Sequence, residues 1–181
     1  MSLGVEPPNR QAALRAMAHP VRLRIMSLLT GASLTAAEVA RELGLTHANA
    51  SYHLRSLVSA GMIVPAGEER IRGGVAKRYR YDLGRDMEIQ RALPPRTADE
   101  NRMLFAAAAN ELIRRTAEAH WPAKKSMVDA DLWVDPEVWQ EIRERISQAA
   151  MDLHAAAQPA RTPGTIRTST TIALFQLDDG R

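Results

Sequence analysis

The chain has 181 residues, 45% of them hydrophobic, and no cysteine; it can bury a real core, while disulfides and thiolate metal sites within the chain are excluded. Its formal net charge of +3 is unevenly spread: residues 1–96 hold 14 Lys and Arg against 8 Asp and Glu, and residues 97–181 hold 10 against 13. No apolar run has the length of a membrane span and Met1–Arg10 lacks a signal-peptide core, so the expectation is a cytoplasmic chain with no membrane partner, of which only the basic half approaches a polyanion.

In chain order, Asn9 can cap a first helix over about residues 10–18, which His19-Pro20 ends. Pro20 at the first helical position starts a second helix that buries Val21, Leu23, Ile25, Leu28 and Leu29 and stops at Gly31. Thr35 and Glu38 form a capping box for a short helix with Val39, Ala40 and Leu43 inward, and Gly44 ends it. Thr46 caps the next helix, 46–60, whose apolar stripe is Ala50, Leu54 and Leu57. His47, Asn49, Tyr52 and Arg55 are then left facing outward. Two short helices joined by a glycine turn describe a helix-turn-helix.

Met62–Ala66 reads as a strand, Gly73-Gly74 as a turn, and Lys77–Leu83 as a second strand that alternates Arg78 and Arg80 against Tyr79, Tyr81 and Leu83. A basic hairpin over 62–83 directly behind a helix-turn-helix is a wing. The stretches AMAHPVRLRIMSLL (16–29), SYHLRSL (51–57) and AGMIV (60–64) together resemble the winged-helix repressors of the ArsR family, over roughly residues 11–83. The resemblance implies double-stranded DNA as partner, with Thr46, His47, Asn49, Ser51, Tyr52 and Arg55 near it. Asn49 suits adenine and Arg55 suits phosphate or guanine. On the wing, Arg70, Arg72, Lys77, Arg78 and Arg80 are the candidates for phosphate or minor-groove contact. His53 sits on the flank of its helix, where packing or a phosphate contact is expected.

Leu93-Pro94-Pro95-Arg96 divides a winged helix-turn-helix domain, 1–92, from a C-terminal region, 97–181. Thr97 and Glu100 form a second capping box that opens a helix to about Ala119. Its alanine-rich face, with Leu104, Ala108 and Leu112, is the expected dimer surface. Val128–Val134 alternates apolar and acidic residues and reads as a strand. Asp135-Pro136 starts a helix to about Ala157, and the threonine-rich Thr165–Leu177 reads as a strand pairing with 127–134. The expected fold is mainly α with a small β component: a winged helix-turn-helix followed by a helix–strand–helix–strand unit.

Metal sensing, known in the family, is not expected. Cysteine is absent, and none of His19, His47, His53, His120 and His154 has His, Asp or Glu three or four residues away. Asp129, Asp131 and Asp135 lack a histidine or glycine-rich loop beside them, so no catalytic residues and no cofactor are expected. The reading is a homodimeric repressor and not an enzyme. The alternatives are a sensor whose C-terminal half takes a small-molecule effector, and the DNA-binding subunit of a nucleic-acid-processing enzyme.

Overall fold

The computed structural model describes residues 13, 14, 17, 19–71 and 73–178. Ala13, Leu14 and Met17 are helical and buried; the rest of the expected first helix lies outside the described residues. Helix α1 (Pro20–Thr30) begins where the sequence places it, with proline in its first turn and the His19 ring accepting from the Val21 amide at 3.2 Å. Strand β1 (Leu34–Thr35) leads into α2 (Ala36–Leu43), whose capping box is complete: the Thr35 hydroxyl accepts from the Glu38 amide, and the Glu38 carboxylate accepts from the Thr35 amide. Gly44 adopts φ 66°, ψ 34°, the left-handed conformation the turn requires, and donates to the Ala40 carbonyl. Helix α3 (His47–Ser59) follows, then β2 (Val64–Ile71), β3 (Gly74–Arg80), α4 (Leu83–Ala92), α5 (Ala98–Thr116) and α6 (Pro136–Ala155).

The core is the contact of α1, α2 and α3. Ile25, Leu29, Val39, Leu54, Leu57 and Ile63 are its largest fully buried side chains. Each comes from the apolar stripe of its helix or from the turn into the wing, so burial supplies most of the stabilisation that short helices lack by themselves. Three antiparallel strands in the order β1-β3-β2 close one side, with Leu34 opposite Tyr79 and Thr35 opposite Arg78. The wing hairpin carries a bulge between Pro65 and Glu68. It is longer at its tip than the sequence implied, because β2 runs to Ile71 and β3 begins at Gly74, while Met62 and Ile63 are buried in the preceding turn. Strand β3 also ends at Arg80, and Leu83, expected at the end of the strand, opens α4 because Asp82 caps a helix there. The whole is a winged helix-turn-helix fold.

Helix α5 is not separate from this body. Leu104 packs against the core cluster, and the inward face continues through Ala108 to Glu111, which is 5% exposed and held by Arg114 at 2.7 Å and Arg115 at 3.0 Å. The bonds from Arg114 outweigh the opposing effect of burial and, with those from Arg115, keep the Glu111 carboxyl below its ordinary value.

The C-terminal half departs from expectation in one respect. Neither Val128–Val134 nor Thr165–Leu177 is a strand, and the two do not pair. β propensity alone cannot make a strand, since each segment needs a neighbour to take its backbone hydrogen bonds. Residues 167–175 lie along α5 instead: Arg167 meets Glu118 at 2.6 Å, Ser169 is 3.5 Å from Arg115, and the rings of Phe175 and Phe105 are 5.4 Å apart. The segment after α6 also returns to the winged helix. Arg161 pairs with Glu42 of α2 at 2.8 Å, and the Gln158 backbone lies so close to Gly31 that a Cβ there would sit 2.5 Å from its carbonyl oxygen. Among the described residues, no helix is long and apolar enough to cross a membrane.

Candidate nucleic-acid interface

Helix α3 presents its N-terminus and one polar face to solvent. The Thr46 hydroxyl accepts from the Asn49 amide at 3.2 Å, and the Thr46 carbonyl accepts from Ala50 at 3.0 Å. The amides of His47 and Ala48 precede these bonds and point out of the helix start, where the dipole favours an anion. Thr46, His47, Asn49, Tyr52 and Arg55 are exposed and Ser51 is half-buried, so the sequence-derived set lies on one accessible surface. On the opposite side, Ala50, Leu54 and Leu57 are completely buried, which fixes the rotation of the helix and therefore which residues face outward.

His53 occupies the flank. Its ring lies tilted against His19, 4.9 Å between centroids, and edge-on to Tyr52 at 5.3 Å, and its Nδ1 is buried with no hydrogen-bond partner among the described residues. Burial, reinforced by repulsion from His19 and Arg22, holds its pKa below the ordinary histidine value. The packing expectation for His53 holds here. The partner, His19, could not be read from sequence, because 34 residues separate the two rings.

The wing divides its cations. Arg70 and Lys77 are exposed near the tip, flanking the Gly73-Gly74 turn. Arg80 is about half exposed and pairs with Asp82 at 3.0 Å. Arg72 lies outside the described residues. Arg78 departs from the expected DNA contact because its guanidinium is engaged inside the protein. It donates to the Ser33 hydroxyl at 3.3 Å and to the Ser33 carbonyl, pairs with Glu69 across the hairpin, and lies 3.5 Å from the Glu38 carboxylate. Thus Arg78 fastens the wing to the loop before α2. Partial burial acts to raise the Glu38 pKa, but the bonds from Thr35, with Arg78 and Arg41 nearby, hold it below its ordinary value. Ser33, and the nearness of the capping-box residue Glu38 to Arg78, were missed by sequence reasoning. Only the alternation of the strand hinted at them, and alternation assigns a face without naming its neighbours.

At the base of the wing, the Tyr81 hydroxyl donates to Asp86 of α4 at 3.1 Å and its amide donates to the Leu29 carbonyl at 3.1 Å. Burial, with the Asp86 carboxylate beside it, raises the Tyr81 pKa well above the ordinary tyrosine value. The hairpin is therefore anchored at its base, through Arg78 and Tyr81 at the C-terminal end of β3, and presents its basic tip to solvent.

Of the expected dimer residues, Leu104 and Ala108 are half-buried on the inward face of α5 and Leu112 is 44% exposed. The stripe turns with the helix, so its first members meet the winged helix and its last meets solvent. Among the described residues, no group of three His, Asp or Glu side chains is placed to hold a metal ion.

A family model described as a helix-turn-helix domain matches residues 17–65, the span from the end of the first helix to the start of β2. No curated protein matches the chain. The chain therefore carries a helix-turn-helix domain at the place where α2, the Gly44 turn and α3 build one.

Proposed function

We propose that this chain is a sequence-specific DNA-binding transcriptional regulator that acts as a homodimer and represses by occupying promoter DNA. The observation that carries the reading is the exposed polar face of α3, opened by the Thr46 cap, beside an anchored wing with Arg70, Lys77 and Arg80 outward. Helix α3 would enter the major groove, with Asn49 and Arg55 reading base edges and the amides at its start holding a phosphate. The wing tip would track the backbone or minor groove. One such helix reads only a few base pairs, so two copies on a pseudo-palindrome supply useful specificity. The ArsR-like pattern of residues 11–83 supports the repressor assignment and dimeric use. The activity proposed is binding without chemistry.

Selection of bound fragments from genomic DNA, followed by fluorescence anisotropy at several salt concentrations, tests this. A recurrent two-fold motif is expected, with affinity falling steeply with salt and at least a hundredfold preference over a scrambled duplex. Equal affinity for both duplexes would overturn sequence-specific regulation. Cleavage of DNA in magnesium would overturn the non-catalytic assignment.

A second reading, a ligand-responsive regulator, is favoured by a cavity of about 280 Å³ between α4 and α6, lined by Leu83, Met87, Ile146, Ala150, Met151 and Ile172. Its size and apolar lining suit a small hydrophobic effector.

A further inference from the structure

The C-terminal half leaves an excess of apolar surface in solvent. Helix α6 runs for 20 residues without a fully buried side chain; Ile146 and Leu153 line the groove against α4, while Val138 and Ile142 of the same stripe are 37–50% exposed. Met127, Val128, Leu132 and Trp133 are 71–92% exposed, and Ile166 is 86% exposed. The accessible area is 13586 Å², whereas a folded monomer of 20.0 kDa presents about 8,700 Å². If the residues outside the description are allowed the full area of an unfolded chain, roughly 2,500 Å² of surplus remains. An obligate homodimer covers about 1,000–2,500 Å² on each protomer. One second copy is enough.

Two segments carry the complementarity. Residues 127–134 contain Asp129 and Asp131 and no base; residues 165–176 contain Arg167, four threonines and a serine and no acid. Pairing 127–134 with its own copy sets aspartates close to aspartates, whereas pairing it with 165–176 sets them against Arg167 and hydroxyls. Within one chain the two segments do not join, and 167–175 lies along α5 by one face, near Glu118, Arg115 and Phe105. That placement still leaves Ile166, Ile172 and Leu177 47–86% exposed.

We propose that residues 127–134 of each protomer pair with residues 165–176 of a second copy of this chain, forming two equivalent, mutually exchanged contacts across a two-fold axis. The inference rests on the homodimeric reading above and places the main interface in the C-terminal half, beyond the α5 stripe. Two-fold symmetry makes the two contacts identical and closes the assembly at two chains.

Charge reversal tests it, because Asp131 is exposed and Arg167 is 79% exposed; Arg167→Asp also gives up the intrachain pair with Glu118, a contact that Asp131→Arg leaves intact. In the full chain, Asp131→Arg and Arg167→Asp should each weaken dimerisation at least tenfold in sedimentation velocity. An equimolar mixture of the two variants should recover wild-type affinity, since a mixed dimer restores opposite charges at both contacts. The double variant D131R/R167D should dimerise like the wild type and also shows that the folded protomer survives both changes. Single variants that dimerise like the wild type overturn the proposal and leave the homodimer standing. The same holds if the double variant recovers and the mixture does not, because pairing is then within one chain. A wild type that is monomeric at micromolar concentration overturns both the exchange and the dimeric reading.

Discussion

Arg78 separates a wing that is merely basic from one that is built. Replacing it with alanine removes the guanidinium bonds to the Ser33 hydroxyl and carbonyl, the pair with Glu69, and a charge 3.5 Å from Glu38. Hydrogen bonds involving a charged group contribute about 1.5–3 kcal/mol each when shielded from water. The side chain is 26% exposed and Glu69 is 48% exposed, so the Glu69 pair adds little. A loss of about 2–3 kcal/mol is expected for Arg78→Ala, moving a urea midpoint down by about 1–2 M at the slopes usual for small domains. The slope of log K against log salt for DNA binding should barely change, because this guanidinium faces the protein. Arg70→Ala and Lys77→Ala should do the reverse: each reduces the salt slope by about 0.9 and leaves the midpoint within about 0.5 kcal/mol of wild type. Chemical denaturation and anisotropy titrations on the same three variants decide the matter. An Arg78→Ala protein of unaltered stability whose salt slope drops by about 0.9 would refute the division of labour.

Asn49→Ala should change which sequences are preferred, with a cost of about 1–3 kcal/mol on the best site and little on random DNA; equal losses on both would make Asn49 a positioning residue. His53 should make stability fall as pH is lowered from 7 to 5. The unfolded chain takes up a proton near the ordinary histidine pKa of about 6.5, while the folded ring, its pKa depressed, resists it until lower pH, so the stability present above that range is lost on acidification. His53→Leu should flatten the urea midpoint over that interval, and a wild-type midpoint that does not move with pH contradicts the assignment. Gly31→Ala should displace the Gln158 backbone, since the contact is backbone on one side and a fixed Cβ on the other. Faster amide exchange over residues 156–164 is the expected readout, and unchanged exchange would show that the close approach is not maintained in solution.

The helix-turn-helix was legible in the sequence because its signals are local. A capping box at Thr35 and Glu38, a left-handed glycine at 44 and a cap at Thr46 each fix a helix end through residues at most a few positions apart. The apolar stripes then settled which face of α3 turns outward, so the recognition set emerged from periodicity together with the family resemblance. What the sequence could not supply were the long-range pairings. Arg78 meets a serine 45 residues earlier, and His53 meets His19 across the α1–α3 contact. The two-residue strand β1 exists only because β3 arrives beside it. Val128–Val134 and Thr165–Leu177 show the same gap from the other side. Their propensity for strand is real, but a ladder requires a partner that this one chain does not bring to them.

The return of residues 158–161 onto Gly31 and Glu42 brings the segment after α6 against the end of α1 and against α2, the helix packed on α3. Arg161 holds that position at φ 66°, the one non-glycine residue with positive φ among those described, a conformation that side chains adopt only when their surroundings impose it. If the chain binds DNA through α3 as proposed, a molecule that favours one placement of α6 over another would alter the free energy of the DNA-bound arrangement through these contacts. Thermodynamic linkage makes the coupling reciprocal: an operator that selects one setting of α3 changes the affinity of whatever rests against α6 by the same factor. Under the ligand-responsive reading, occupied and vacant operators would meet the same effector with different sensitivity.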